Sequence, residues 1–145
     1  MQRFMLVVLA GVASTLIVHW ALAKGPSKGD DRSEAVDRGR YLVEHVAMCV
    51  QCHTPRDAQG NLDDRRLLQG AAIPLASPFA AAPWAPQAPT IAGLPGGWTE
   101  QDVVNFLHTG RSPGGEFARA PMPPFRMTND DAAAIAAFLK SLPAR

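Results

Sequence analysis

The string Cys49-Val50-Gln51-Cys52-His53 constrains this chain more than any other feature. It holds both of the chain's cysteines, two residues apart, with a histidine directly after the second. That spacing is the attachment signature of a c-type haem. Each thiol can add to one vinyl group of the porphyrin, and the adjacent imidazole then falls beneath the iron as an axial ligand. One such string predicts one covalently bound haem, with Cys49 and Cys52 as thioether donors and His53 on the metal. Other chemistry fits less well. A thioredoxin-like CxxC opens a helix after a strand in a βαβ context, and no such alternation surrounds residue 49. A structural zinc site takes four ligands, and there is no second cysteine pair. A plain disulfide stays open on chemistry alone.

A haem iron bound by His53 leaves its opposite face for a second ligand, and Met122 is the candidate. It stands in Ala120-Pro121-Met122-Pro123-Pro124, where the prolines forbid helix and hold the backbone extended, so the thioether projects from a stiff loop. Met127 competes from five residues on, but it directly precedes a helix cap. Met48 adjoins Cys49, and Met1 and Met5 lie in the apolar leader. His45 and His108 are the histidine alternatives, and both read as ordinary helix residues. An iron held by His53 and Met122 has no open position, which favours outer-sphere electron transfer over substrate chemistry at the metal. No catalytic residue is assigned.

Hydrophobic periodicity predicts three main helices. The first runs over residues 33–48 with Val36, Gly39, Leu42, Val43 and Val46 along one side, and delivers the chain into Cys49. A glycine inside a helix lowers its stability, so Gly39 reads as a point of close approach by another helix. The second starts at Thr99, where Thr99 and Asp102 form a capping-box pair, carries Val103, Phe106 and Leu107, and stops at Gly110. The third starts at Thr128 with the pair Thr128 and Asp131, carries Ile135, Phe138, Leu139 and Leu142, and ends before Pro143. Six of the 13 prolines lie between residues 74 and 95, which makes that stretch loop. No segment reads as a strand. The expected architecture is an all-α domain of three helices and long proline-rich loops, with the cofactor supplying much of the core.

Phe4 to Ala23 is a run of 20 residues without a formal charge, preceded by Arg3 and followed by the polar stretch 24–32. It reads as an export signal. One form is a cleaved signal peptide with an A-x-A site at Ala21-Leu22-Ala23. The other is an uncleaved anchor, since about 20 apolar residues span a bilayer core, with Trp20 near the outer interface. The chain then divides into leader 1–23, linker 24–32 and haem domain 33–145. Either form places the domain outside the cytoplasmic membrane, in the periplasm or its equivalent, with membrane attachment through 4–23 in the second case. The 145 residues carry 14 basic and 13 acidic side chains, a balance that gives no sign of nucleic-acid binding. It also predicts that partner binding depends weakly on ionic strength.

The order helix, Cys49-to-His53 motif, irregular segment, helix, methionine loop and terminal helix resembles the class I cytochrome c family over residues 33–143. The resemblance implies that Gly39 packs against an aromatic of the last helix, with Phe138 as its match. It also implies that a proline carbonyl accepts the hydrogen bond of the proximal histidine, with Pro89 in Ala88-Pro89-Thr90-Ile91 as the best match. The run from Met122 to Asp131 is similar to cytochrome subunits that accompany periplasmic or membrane-bound dehydrogenases. Those often carry several CxxCH motifs, whereas this chain has one. Redox proteins are the implied partners: a dehydrogenase, another cytochrome or a terminal oxidase. A fixed subunit of such a complex and a peroxidase-like enzyme or gas sensor are the alternatives to a mobile carrier. Trp98, Arg111 and Arg119 are candidates to bind the haem propionates.

Overall fold

The computed structural model describes residues 28–79 and 83–144. The apolar run read as an export signal lies outside the described residues. Helix α1 spans Lys28–Tyr41 and passes into a π-helical segment, Leu42–Val46. A short helix α2 covers Val50–His53, and a 3-10 turn follows at Asp64–Arg66. Strands β1 (Ala71–Ala72) and β2 (Gln87–Ala88) precede α3 (Glu100–Thr109) and α4 (Asn129–Ser141). Among the described residues no helix is long and apolar enough to cross a membrane.

The three long helices expected from periodicity are present, with two corrections to the first. It begins at Lys28, so residues 28–32, read as linker, are helical. Asp30 and Asp31 in the first turn face the positive end of the helix dipole and favour that early start. Nor is it α-helical throughout. From Leu42 the hydrogen bonds reach back further along the chain, with Ala47 N–H donating to Leu42 O, five residues before it, at 2.7 Å and Cys49 N–H to Val43 O, six before it, at 2.9 Å. A π turn takes in an extra residue. Leu42 and Val43 therefore remain buried while Val46, assigned to the same face by α spacing, is 55% exposed.

The core forms where α1 crosses α4. Gly39 is buried there, and a Cβ built on it would overlap the Ala134 carbonyl and stand 2.8 Å from Phe138 Cβ. The expected pairing of Gly39 with Phe138 is thus present. Phe138, Ile135 and Val43 are almost wholly buried around it, and burying a side chain the size of Phe138 contributes about 1.5–3 kcal/mol. The inward face of α4 is broader than its large apolar residues suggest, because Ala132, Ala134, Ala136 and Ala137 are buried as well. Small side chains permit close helix contact without announcing themselves in the pattern.

Both predicted caps form, one in full. Thr99 and Asp102 make a reciprocal capping box, and Gly110 ends α3 in the left-handed conformation at φ 78°. Thr128 Oγ1 accepts from Asp131 N–H. The Asp131 carboxylate takes the guanidinium of Arg38 on α1, at 2.9 Å, which ties the two helices at their edge. The small antiparallel sheet, with Ala71 opposite Ala88 and Ala72 opposite Gln87, was absent from the expected architecture. Two-residue strands of Ala and Gln carry no alternation to detect.

Substituting Gly39 with alanine sets a methyl against helix backbone, which cannot swing aside. The expected loss is at or above the upper end of the ~1–3 kcal/mol typical of overpacking. Thr99→Ala, which removes only a cap, costs about 1 kcal/mol and lowers Tm by about 4–8 °C. Thermal unfolding of the haem-loaded variants checks both values, and a Gly39→Ala protein as stable as the parent would contradict the helix crossing.

Candidate functional site

The chain reaches Cys49 through a sharp reversal. Met48 adopts a left-handed backbone at φ 55°, and the single turn α2 then follows, with Cys49 as its N-cap and Cys52 and His53 within it. His53 is buried, and its Nδ1–H donates to the Pro89 carbonyl at 2.8 Å. A carbonyl can only accept, so this bond fixes the tautomer and leaves Nε2 with a free lone pair, the form a metal ligand requires. Burial lowers the pKa of His53 and outweighs the opposing effect of the Pro89 bond, which keeps the imidazole neutral. Burial likewise pushes the Cys49 thiol up to about 11. Such a thiol is far from the activated thiolate of a redox dithiol.

Pro89 is held by a ladder that the sequence did not announce. Gly70 N–H donates to His53 O at 2.7 Å, Leu68 N–H to Thr54 Oγ1 at 3.0 Å, and Ile91 N–H to Leu68 O at 2.9 Å. Thr54 and Leu68 are both fully buried, with Leu68 at φ 58°. Together with the β1–β2 pairing, these bonds carry the chain from the cysteine motif back to the carbonyl that orients its histidine. No periodicity or motif marks Thr54 or Leu68. Their role arises from contacts 14 and more residues apart.

Beside His53 lies a cavity of about 550 Å³, with Cys49 and Cys52 in its wall. This volume suits a cofactor-sized ligand. Val103, Phe106 and Leu107 of α3 and Ile135 and Leu139 of α4 give it an apolar lining. Met122 enters the same wall, flanked by Pro121 and Pro123. The cavity therefore brings together all four residues singled out from the sequence. Met48 also reaches its edge but is half-exposed and adjoins Cys49.

The rival ligands stand elsewhere. Met127 packs against the core and is not in the cavity wall. His45 is exposed beside Glu44, and the His108 Nδ1–H donates to Met127 O. Of the propionate candidates, Trp98 and Arg119 line the cavity. Arg111 does not: it donates to Gly115 O at 2.8 Å, and its guanidinium lies 4.2 Å from the centre of the Phe117 ring. Among the described residues no group of three or more His, Cys, Asp and Glu side chains converges to hold a bare metal ion.

Comparison with known proteins agrees with this geometry. A model of the cytochrome c family matches residues 36–143. A diheme cytochrome c-type protein of Cereibacter sphaeroides is 35% identical over 131 residues, covering 85% of this chain and 41% of that protein. The fructose dehydrogenase cytochrome subunit of Gluconobacter japonicus is 34% identical over 75% of this chain and 22% of its own length. The cytochrome c subunit of the quinone alcohol dehydrogenase of Gluconobacter oxydans is 34% identical over 75% of this chain and 24% of its own. The chain thus spans less than half the length of each of these relatives. With the match running from the middle of α1 to the end of α4 and enclosing the cavity and its sulfur and imidazole donors, the chain belongs to the cytochrome c family.

Proposed function

We propose that the chain transfers single electrons through one haem c, attached by thioethers at Cys49 and Cys52, with His53 and Met122 as axial ligands. The observation that carries this reading is the meeting of His53, its Nε2 freed by the bond to Pro89, with Met122 in one apolar cavity. The chain's only two cysteines stand in the same wall, which gives one pair of thioethers and hence one haem. When bound, haem supplies reversible one-electron chemistry at its iron. The residues supply the rest. Pro89 holds the imidazole in orientation and strengthens its donor nitrogen. The thioether of Met122, as a ligand, would favour the ferrous state and raise the potential. The apolar walls from α3 and α4 would shield the haem from water, and with His53 and Met122 both holding the iron no position would be left for a substrate.

The partners follow from what the relatives are called. Cytochrome subunits of fructose, gluconate and alcohol dehydrogenases share this domain, which supports a redox protein as donor or acceptor: a dehydrogenase, another cytochrome or an oxidase. The leader 1–23, if it directs export, places the haem domain outside the cytoplasmic membrane, free when cleaved and attached through 4–23 when not. A peroxidase-like or gas-sensing role would need an open iron position, which a Met122 ligand denies.

Optical spectra of the haem-loaded protein check the ligand set. The oxidised parent should show a methionine-to-iron charge-transfer band, lost in Met122→Ala and retained in Met127→Ala. Its absence from the parent would turn the assignment toward an open site and an enzyme or sensor. Intact mass of the exported protein checks the remainder: it should carry the added mass of one haem. Cleavage after Ala23 would leave 122 residues, and the full 145 would mark an anchor.

A further inference from the structure

We propose that His108 is a positioning residue of the methionine loop: the hydrogen bond it donates to Met127 O sets how readily Met122 yields its place on the iron to an outside ligand. This rests on the reading of Met122 as an iron ligand.

Hydrogen bonds tie the loop to the rest of the fold at two points, with Phe125 packed against the core between them. Upstream, Ala85 N–H donates to Ala120 O at 2.7 Å, and Trp84 pairs with Ala120 as a bridge. Downstream, both polar groups of the Met127 backbone are tied to the last turn of α3. Its N–H donates to Leu107 O at 3.0 Å, and its carbonyl accepts from His108 Nδ1 at 2.8 Å. Between the anchors Pro121, Pro123 and Pro124 fix φ, so few backbone torsions remain to carry Met122 away from the cavity. Withdrawal of Met122 therefore requires one anchor to open.

The downstream anchor is the one that yields. The Ala85 bond joins two backbone segments beside the cavity wall, whereas the downstream anchor rests on one backbone bond, from Met127 N–H to Leu107 O, and on a second made by the exposed side chain of His108, without which the first is left alone. The helix beneath it is firm: α3 has its capping box at one end and Gly110 N–H bonded to Phe106 O at the other. Leu107 is buried and lines the cavity. His108 thus transmits the position of a rigid helix to a loop that has no helix of its own. Both the neutral Nδ1–H form and the imidazolium donate, so the clamp does not depend on one protonation state.

The test titrates the oxidised, haem-loaded full chain with imidazole and follows loss of the methionine-to-iron band. Removing the donor with His108→Ala or His108→Leu should tighten imidazole binding by about three- to tenfold, the equivalent of one exposed hydrogen bond. His108→Asn, whose amide nitrogen stands at the same distance from the backbone as Nδ1, should restore affinity to within about twofold of the parent. Parent-like affinity in all three variants would overturn the proposal. So would an equal tightening in all three, since the ring's bulk rather than its donor would then be responsible. A parent protein without the band would instead defeat the assignment of Met122.

Discussion

At the crossing of α1 and α4, the carbonyl of Ala134 occupies the space where a side chain on residue 39 would stand. This contact sets the position of both halves of the site. α1 leads through its π turn into the cysteine motif, and α4 follows directly on the methionine loop. Spreading the two helices by a methyl group would move Cys49 and Cys52 and the Met122 loop relative to each other. The salt bridge of Arg38 with Asp131 guards the same junction, though an exposed pair contributes at most about 1 kcal/mol. Burial of Phe138 and Ile135, and not charge, holds the crossing.

From that junction the site is assembled by backbone hydrogen bonds over long sequence separations. The histidine is oriented by a carbonyl 36 residues away, and that carbonyl is held in turn by Leu68, Gly70 and the two-residue strands. Proline suits position 89 because it lacks an N–H, so its fixed φ and free carbonyl serve one acceptor function without a competing donor. The loop from residue 73 to 86 is irregular yet not loose where it is described. Ile73 N–H bonds Pro86 O, Trp84 Nε1–H bonds Leu75 O, and Ala85 docks on Ala120. The proline-rich stretch thereby supports the methionine loop as well as closing the cavity.

Much of this was legible in the sequence, for identifiable reasons. The attachment motif has a spacing set by covalent chemistry, and helix caps are local signals, so Cys49, Cys52, His53, Thr99, Asp102 and Gly110 could be read directly. Gly39 and Met122 were readable because their neighbours make them anomalous: a glycine within a helix, and a methionine among prolines. What escaped depends on partners distant in the chain. Thr54 and Leu68 look ordinary until the fold brings them together, the strands are too short for a period, and the π turn changes register without any glycine or proline to mark it. Arg111, grouped with Arg119 as a partner for propionates, differs from it only in where its loop turns the guanidinium.

A domain of this size has little core to spare, and it devotes about 550 Å³ of it to a cavity. Core residues also line the cavity: Val43, Val103, Leu107, Ile135 and Leu139 have one side toward their helix neighbours and one toward the cavity. They are already at most 6% exposed, so a large apolar ligand in the cavity would add packing contacts to them rather than take them out of water. Anything that binds the folded chain and not the unfolded one adds its binding energy to stability, and the proposed covalent attachment at Cys49 and Cys52 would prevent its loss by dilution. With haem so attached, the fold and the cofactor would be one thermodynamic unit. The helix crossing at Gly39, the Pro89 carbonyl and the two-point loop around Met122 are each needed to keep the cavity open at the shape its ligand requires.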